Sequence, residues 1–109
     1  MKLNGIEMDD FDIFDVENAE KYEKAIELLE YMQNIEGGSI SEGIKEQCKI
    51  IFDFFNTVYG DGADKKIFGN KVNLLTCIKA LGDFMTNVND QKKEIEKINN
   101  KYSPDRLKR

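Results

Sequence analysis

The sequence predicts a mainly α fold: a three-helix bundle-like domain with a long C-terminal helix and a short N-terminal β-hairpin or extended arm. Three observations carry this. Apolar residues recur at spacings of three and four in three separate stretches, each bounded by Gly, Ser or Asn. A period of two is confined to the first fourteen residues. The only proline, Pro104, stands after the last periodic residue, so it closes the helical region rather than interrupting it. A chain of 109 residues suits one domain, here residues 1–102, followed by a flexible basic tail over 103–109.

The elements follow in order. Asn4-Gly5 is a strong hairpin signal, because both residues tolerate the positive φ that a type I′ turn demands. Ile6 and Met8 alternate with Glu7, and Phe11 and Ile13 with Asp10 and Asp12, which suits a strand with one buried face. A first helix is expected over 16–34. Asp15 or Asn18 is its N-cap, the acids of the first turn match the helix dipole, and Gly37-Gly38 ends it. Its stripe is Ala19, Tyr22, Ile26, Leu29 and Met32.

A second helix is expected over 41–59, capped by Ser39 or Ser41 and stopped by Gly60-Asp61-Gly62. Ile44, Cys48, Ile51, Phe55 and Val58 make it the most apolar segment, hence the centre of the core. Residues 63–69 suit one short helical turn anchored by Ile67 and Phe68. A third main helix is expected over 72–100, capped by Asn70 or Asn73. Phe55 and Leu81 sit mid-stripe and are expected in the core.

Composition narrows the function. Apolar residues are 40% and charged residues 34% of the chain, enough to bury a modest core. A net charge of −5 argues against nucleic acid as the main partner, since phosphate binding needs a basic face. No apolar run is long enough to span a bilayer, and the acidic first residues have the wrong sign for a secretory leader. A cytoplasmic protein with two reduced core thiols, Cys48 and Cys77, is expected.

The chain has no His, which removes the commonest general base and the Ser–His and Cys–His pairs. No phosphate-binding or dinucleotide glycine motif is present. Asp10 and Asp12 resemble the start of a calcium loop, but Phe14 and Asp15 stand where a third oxygen ligand and a glycine are needed. The expectation is no enzyme, no cofactor and no metal.

What remains is an apolar stripe at Ile95, Ile98 and Tyr102 with two readings: packing within the chain against the N-terminal hairpin, or a self-association or partner surface. Written as heptads, Leu81, Val88, Ile95 and Tyr102 share one position of the third helix, and Phe84, Gln91 and Ile98 share another. That seam outruns the two earlier helices, so Phe84, Val88, Ile95, Ile98 and Tyr102 are the candidate partner-binding residues. Charge is polarised too. Residues 1–20 hold one Lys against seven carboxylates, and residues 92–109 hold seven bases against three acids. Opposite charge at the two ends suggests contact within the chain or in a homo-oligomer.

Three segments resemble a known family: DIFDVENAEKYEKA (12–25), SEGIKEQCKIIFDFFNTVYGDGADKKIFGNKVNLLTCIKAL (41–81) and YSPDRLKR (102–109). They are similar to small tail-morphogenesis proteins of siphophages and prophages of Gram-positive bacteria, of the tail assembly chaperone kind. The most specific parts are FDFFNTVYGDG, KIFGNKVNL and the Tyr-Ser-Pro-Asp-Arg ending, where Asp105 replaces the usual Asn. The resemblance implies a helical, non-catalytic protein of the bacterial host cytoplasm. It implies binding to the phage tape measure protein, keeping its apolar helices from aggregating until tail tube subunits surround it. Two rival readings stand beside it: an oligomeric structural or adaptor component of a phage particle, and a small acidic inhibitor of a host protein.

Overall fold

The hairpin forms where Asn4-Gly5 places it. In the computed structural model both residues adopt positive φ, 54° and 75°. They join β1 (Lys2–Leu3) to β2 (Ile6–Glu7), antiparallel, with Lys2 opposite Glu7 and Leu3 opposite Ile6. The structure describes residues 1–34 and 38–102, with 33, 34 and 102 described by backbone alone. The Gly37 part of the expected helix stop and the expected basic tail, 103–109, lie outside the described residues.

Beyond β2 the expected strand does not continue. Met8, Phe11 and Ile13 are buried, but Ile6, expected on the same face as Met8, is 37% exposed, and the segment pairs with no strand. The segment is an irregular chain laid over the core, turning at Ile13 and Phe14. The Ile13 N–H donates to the Gln91 side-chain oxygen at 3.0 Å, and the Gln91 amide donates to the Phe11 carbonyl at 2.7 Å. One side-chain amide thus satisfies the two backbone groups that a neighbouring strand would otherwise meet.

Helix α1 (Val16–Leu29) is capped by Asp15, which accepts from the backbone N–H groups of Glu17 and Asn18 at 3.0 and 3.3 Å. It is shorter than expected. Residues Glu30–Asn34 tighten into a 3-10 helix, a common way for a helix C-terminus to close. Helix α2 (Ile40–Tyr59) is capped by Ser39, whose hydroxyl accepts from Glu42 N–H at 3.3 Å. It buries Cys48, Ile51, Phe54, Phe55 and Val58.

The short helix α3 (Ala63–Phe68) is fixed at both ends by side-chain amides. Asn56 accepts from Asp64 N–H at 3.0 Å, and Asn4 donates to the Ile67 carbonyl at 2.9 Å. Ile67 and Phe68 are buried, as expected. Helix α4 (Leu74–Tyr102) begins under Asn73, which accepts from Thr76 N–H at 3.0 Å.

Helix α1 packs on α2, and α4 crosses α2 and β1. The shared core draws Leu3, Met8, Phe11 and Ile13 from the arm, and Cys77, Ala80, Phe84 and Val88 from α4. Leu81 is only partly buried and packs against this core from its edge, whereas Phe55 is wholly buried. No helix among the described residues is long and apolar enough to cross a membrane.

Candidate partner-binding surface

The candidate residues divide at Gln91. On its N-terminal side, Phe84 is the hub of an aromatic cluster. Its ring centroid lies 5.4 Å from Phe11, 5.5 Å from Phe54, 5.9 Å from Phe55, 6.0 Å from Tyr59 and 6.3 Å from Tyr22. Offset and edge-on pairs at such separations add to the burial of the rings themselves. Phe84 and Val88 are both 0% exposed. Their expected role in partner binding is therefore corrected: they hold this fold together, and a partner has no access to them. Helical periodicity marked an apolar face, and here α1, α2 and the arm already cover it.

On the C-terminal side the same face emerges from the bundle. Helix α4 has 29 residues, a length of about 44 Å at 1.5 Å per residue. The described molecule measures 61 × 30 × 22 Å. Ile95 is half-buried and Ile98 is 46% exposed. Around them Lys92, Lys93, Glu94, Glu96 and Lys97 are all exposed. Tyr102 follows in the same helical register, described by its backbone only.

Three contacts brace the point of emergence. The Gln91 amide holds the arm, and it also donates to Asn87 Oδ1 at 2.8 Å. The Tyr22 hydroxyl donates to Met85 Sδ at 3.6 Å. Lys92 Nζ stands 5.4 Å from the Tyr22 ring centroid, a cation–π contact rather than an ion pair. The expected attraction between the acidic arm and the basic helix end is not made by Lys92, Lys93 or Lys97: among the described residues, no ion pair joins them to Asp9–Asp15.

Cys48 and Cys77 are buried free thiols on facing helices. Burial, with Cys48 beside it, pushes the Cys77 thiol up to about 12, so it stays protonated and unreactive at neutral pH. The Tyr59 hydroxyl donates to the Asp9 carbonyl at 3.1 Å. Burial, and then the carboxylates of Asp10 and Asp9, push it up to about 12. Among the described residues no three His, Cys, Asp or Glu side chains are grouped to hold a metal ion.

Fold and surface together define a small helical protein with a projecting amphipathic helix. The chain matches, over residues 4–109, the model of a family of unknown function, DUF6673, and belongs to that family. Neither the curated proteins nor the solved structures searched gave a match.

Proposed function

We propose that this is a non-enzymatic binding protein of the tail assembly chaperone kind, acting in the cytoplasm of a bacterial host on the phage tape measure protein. The observation that supports this best is the distal apolar seam of α4, where the half-buried Ile95 and the exposed Ile98 continue the core register beyond Gln91. A helix of this form binds a second amphipathic helix by anchors three and four residues apart, with flanking charges of both signs setting register. A tape measure protein offers long apolar helical segments, the chemistry such a seam covers. The phage assignment rests on the segments quoted above and on nothing in the family match.

Co-expression with the tape measure protein of the same phage tests the reading. Wild type is expected to raise the soluble yield of that protein. Ile95→Asp and Ile98→Asp are expected to lower the yield while leaving the circular dichroism spectrum unchanged. Equal yields for wild type and variants remove α4 as the binding surface. No gain over an unrelated acidic helical protein removes the chaperone reading.

A further inference from the structure

A second apolar surface lies on the opposite face of α4, at its other end. Leu75 and Ile78 are 63% and 46% exposed, and Val72, just before the helix, is 51% exposed. Lys79 and Gly82 share that face, and Lys71 adjoins Val72. A Cβ built on Gly82 would meet nothing within 4 Å, so the face is flat and open there. Cys77, Ala80 and Phe84, on the other side of the helix, fill the core. The patch is thus apolar with a basic rim, and neither Lys71 nor Lys79 has an ion pair among the described residues.

The chain carries the complement of this patch elsewhere. Phe14 and Val16 are 50% and 71% exposed at the entry to α1. Asp12, Glu17 and Glu20 surround them, exposed and without an ion pair among the described residues. The two patches cannot meet within one chain. Ile13 is bonded to Gln91 at 3.0 Å, and the level of Gln91 lies about 24 Å along α4 from Leu75.

We propose that copies of this chain associate head to tail, the acidic corner at Phe14 and Val16 of one docking on the basic-rimmed face at Val72, Leu75 and Ile78 of the next. Two different patches make a heterologous contact, which repeats into a ring or an open filament rather than stopping at a dimer. A few apolar side chains cover well under the roughly 800 Å² per partner of a standard interface. One junction is therefore weak, association grows with concentration, and added salt screens its charged part. The Ile95–Ile98 seam is left free, so this inference is independent of the function proposed above.

Sedimentation velocity of the full chain tests it. Wild type is expected to form species larger than a dimer as concentration rises. Val16→Lys with Glu20→Lys removes the acidic corner, and Leu75→Asp with Ile78→Asp removes the basic-rimmed face. Each double variant alone is expected to remain a monomer with a wild-type circular dichroism spectrum. Mixed together, they retain one good junction and are expected to give a dimer and nothing larger. A milder pair guards against misfolding: Glu20→Lys and Lys79→Glu each weaken association, and their mixture restores it through the reversed charges. The inference is overturned if wild type stays monomeric at every concentration, or if the mixtures show no dimer. It is also overturned if Ile95→Asp with Ile98→Asp abolishes association while the two patch variants leave it intact.

Discussion

The two halves of α4 share one helix and one apolar register, and they live in different surroundings. From Leu74 to Val88 the register is covered by α2, the arm and α1, and it supplies Cys77, Ala80, Phe84 and Val88 to the core. From Gln91 onward it supplies only the half-buried Ile95 and the exposed Ile98. The same spacing therefore has opposite meanings sixteen or so ångströms apart, about the rise from Phe84 to Ile95. What separates them is the reach of neighbouring elements. Helix α2 is 20 residues long and α4 is 29, so the longer helix must leave the bundle.

Several measurements bear on that contrast. The largest effect is expected at Phe84. Phe84→Ala leaves a hole amid five rings and should destabilise by about 3–5 kcal/mol. Chemical denaturation checks it, and a wild-type midpoint would mean that the proximal half is not core. Gln91, at the boundary, comes next. Gln91→Ala strips partners from the Phe11 carbonyl and the Ile13 N–H, both part-buried, and should cost about 1–3 kcal/mol. If the same denaturation shows no loss, the arm is held by its apolar side chains alone.

A pH effect sharpens the account of the proximal cluster. Tyr59 has its pKa raised from 10.0 to about 12 in the fold. The folded state then holds the proton more tightly than the unfolded state. The stabilisation is fully present below pH 10 and is lost as pH rises from 10 to about 12. Thermal melts across that window should fall more steeply for wild type than for Tyr59→Phe. The smallest effect on stability is expected in the distal half. Ile98→Asp should change the melting midpoint little, since surface substitutions commonly stay within about 0.5 kcal/mol. A large loss there would erase the distinction between the halves.

Much of the fold was legible because its signals are local. Asn4-Gly5, Asp15, Ser39 and Asn73 each do their work through the next few backbone groups, so the residue types place the turn and narrow each helix start to two candidate caps, Asp15 or Asn18, Ser39 or Ser41, and Asn70 or Asn73. The division of α4 was not legible in the same way. Periodicity reports that Phe84, Val88, Ile95 and Ile98 share a face, but what covers that face depends on chain brought from far away. Gln91 was the signal that could have marked the boundary. It occupies an apolar heptad position, where it reads as a break in the seam. Its actual partners, Phe11 and Ile13, are about eighty residues distant. The second apolar face of α4, at Leu75 and Ile78, was hidden among the many apolar residues of the helix's first half.

The long-range bonds of Gln91 and Asn4 also set the order in which the molecule can be completed. Leu3, Met8, Phe11 and Ile13 are core residues, and part of their cover comes from the last helix: Phe11 packs on Phe84 as well as on Tyr59 of α2, and the Phe11 and Ile13 backbone is held by Gln91. The arm leaves the ribosome before α4, so the cover that α4 supplies is the last to arrive. The α1–α2 pair is close in sequence and can form early, while the arm closes over α4 at the end, after the loop entropy of nearly the whole chain has been overcome. The arm is therefore a late latch, and a nascent chain stalled before residue 84 exposes both the latch and the surface of α2 that α4 should cover. Shortening α4 from its C-terminus back past Gln91 should be felt first as slower refolding and greater aggregation, before it is felt as lost helix content.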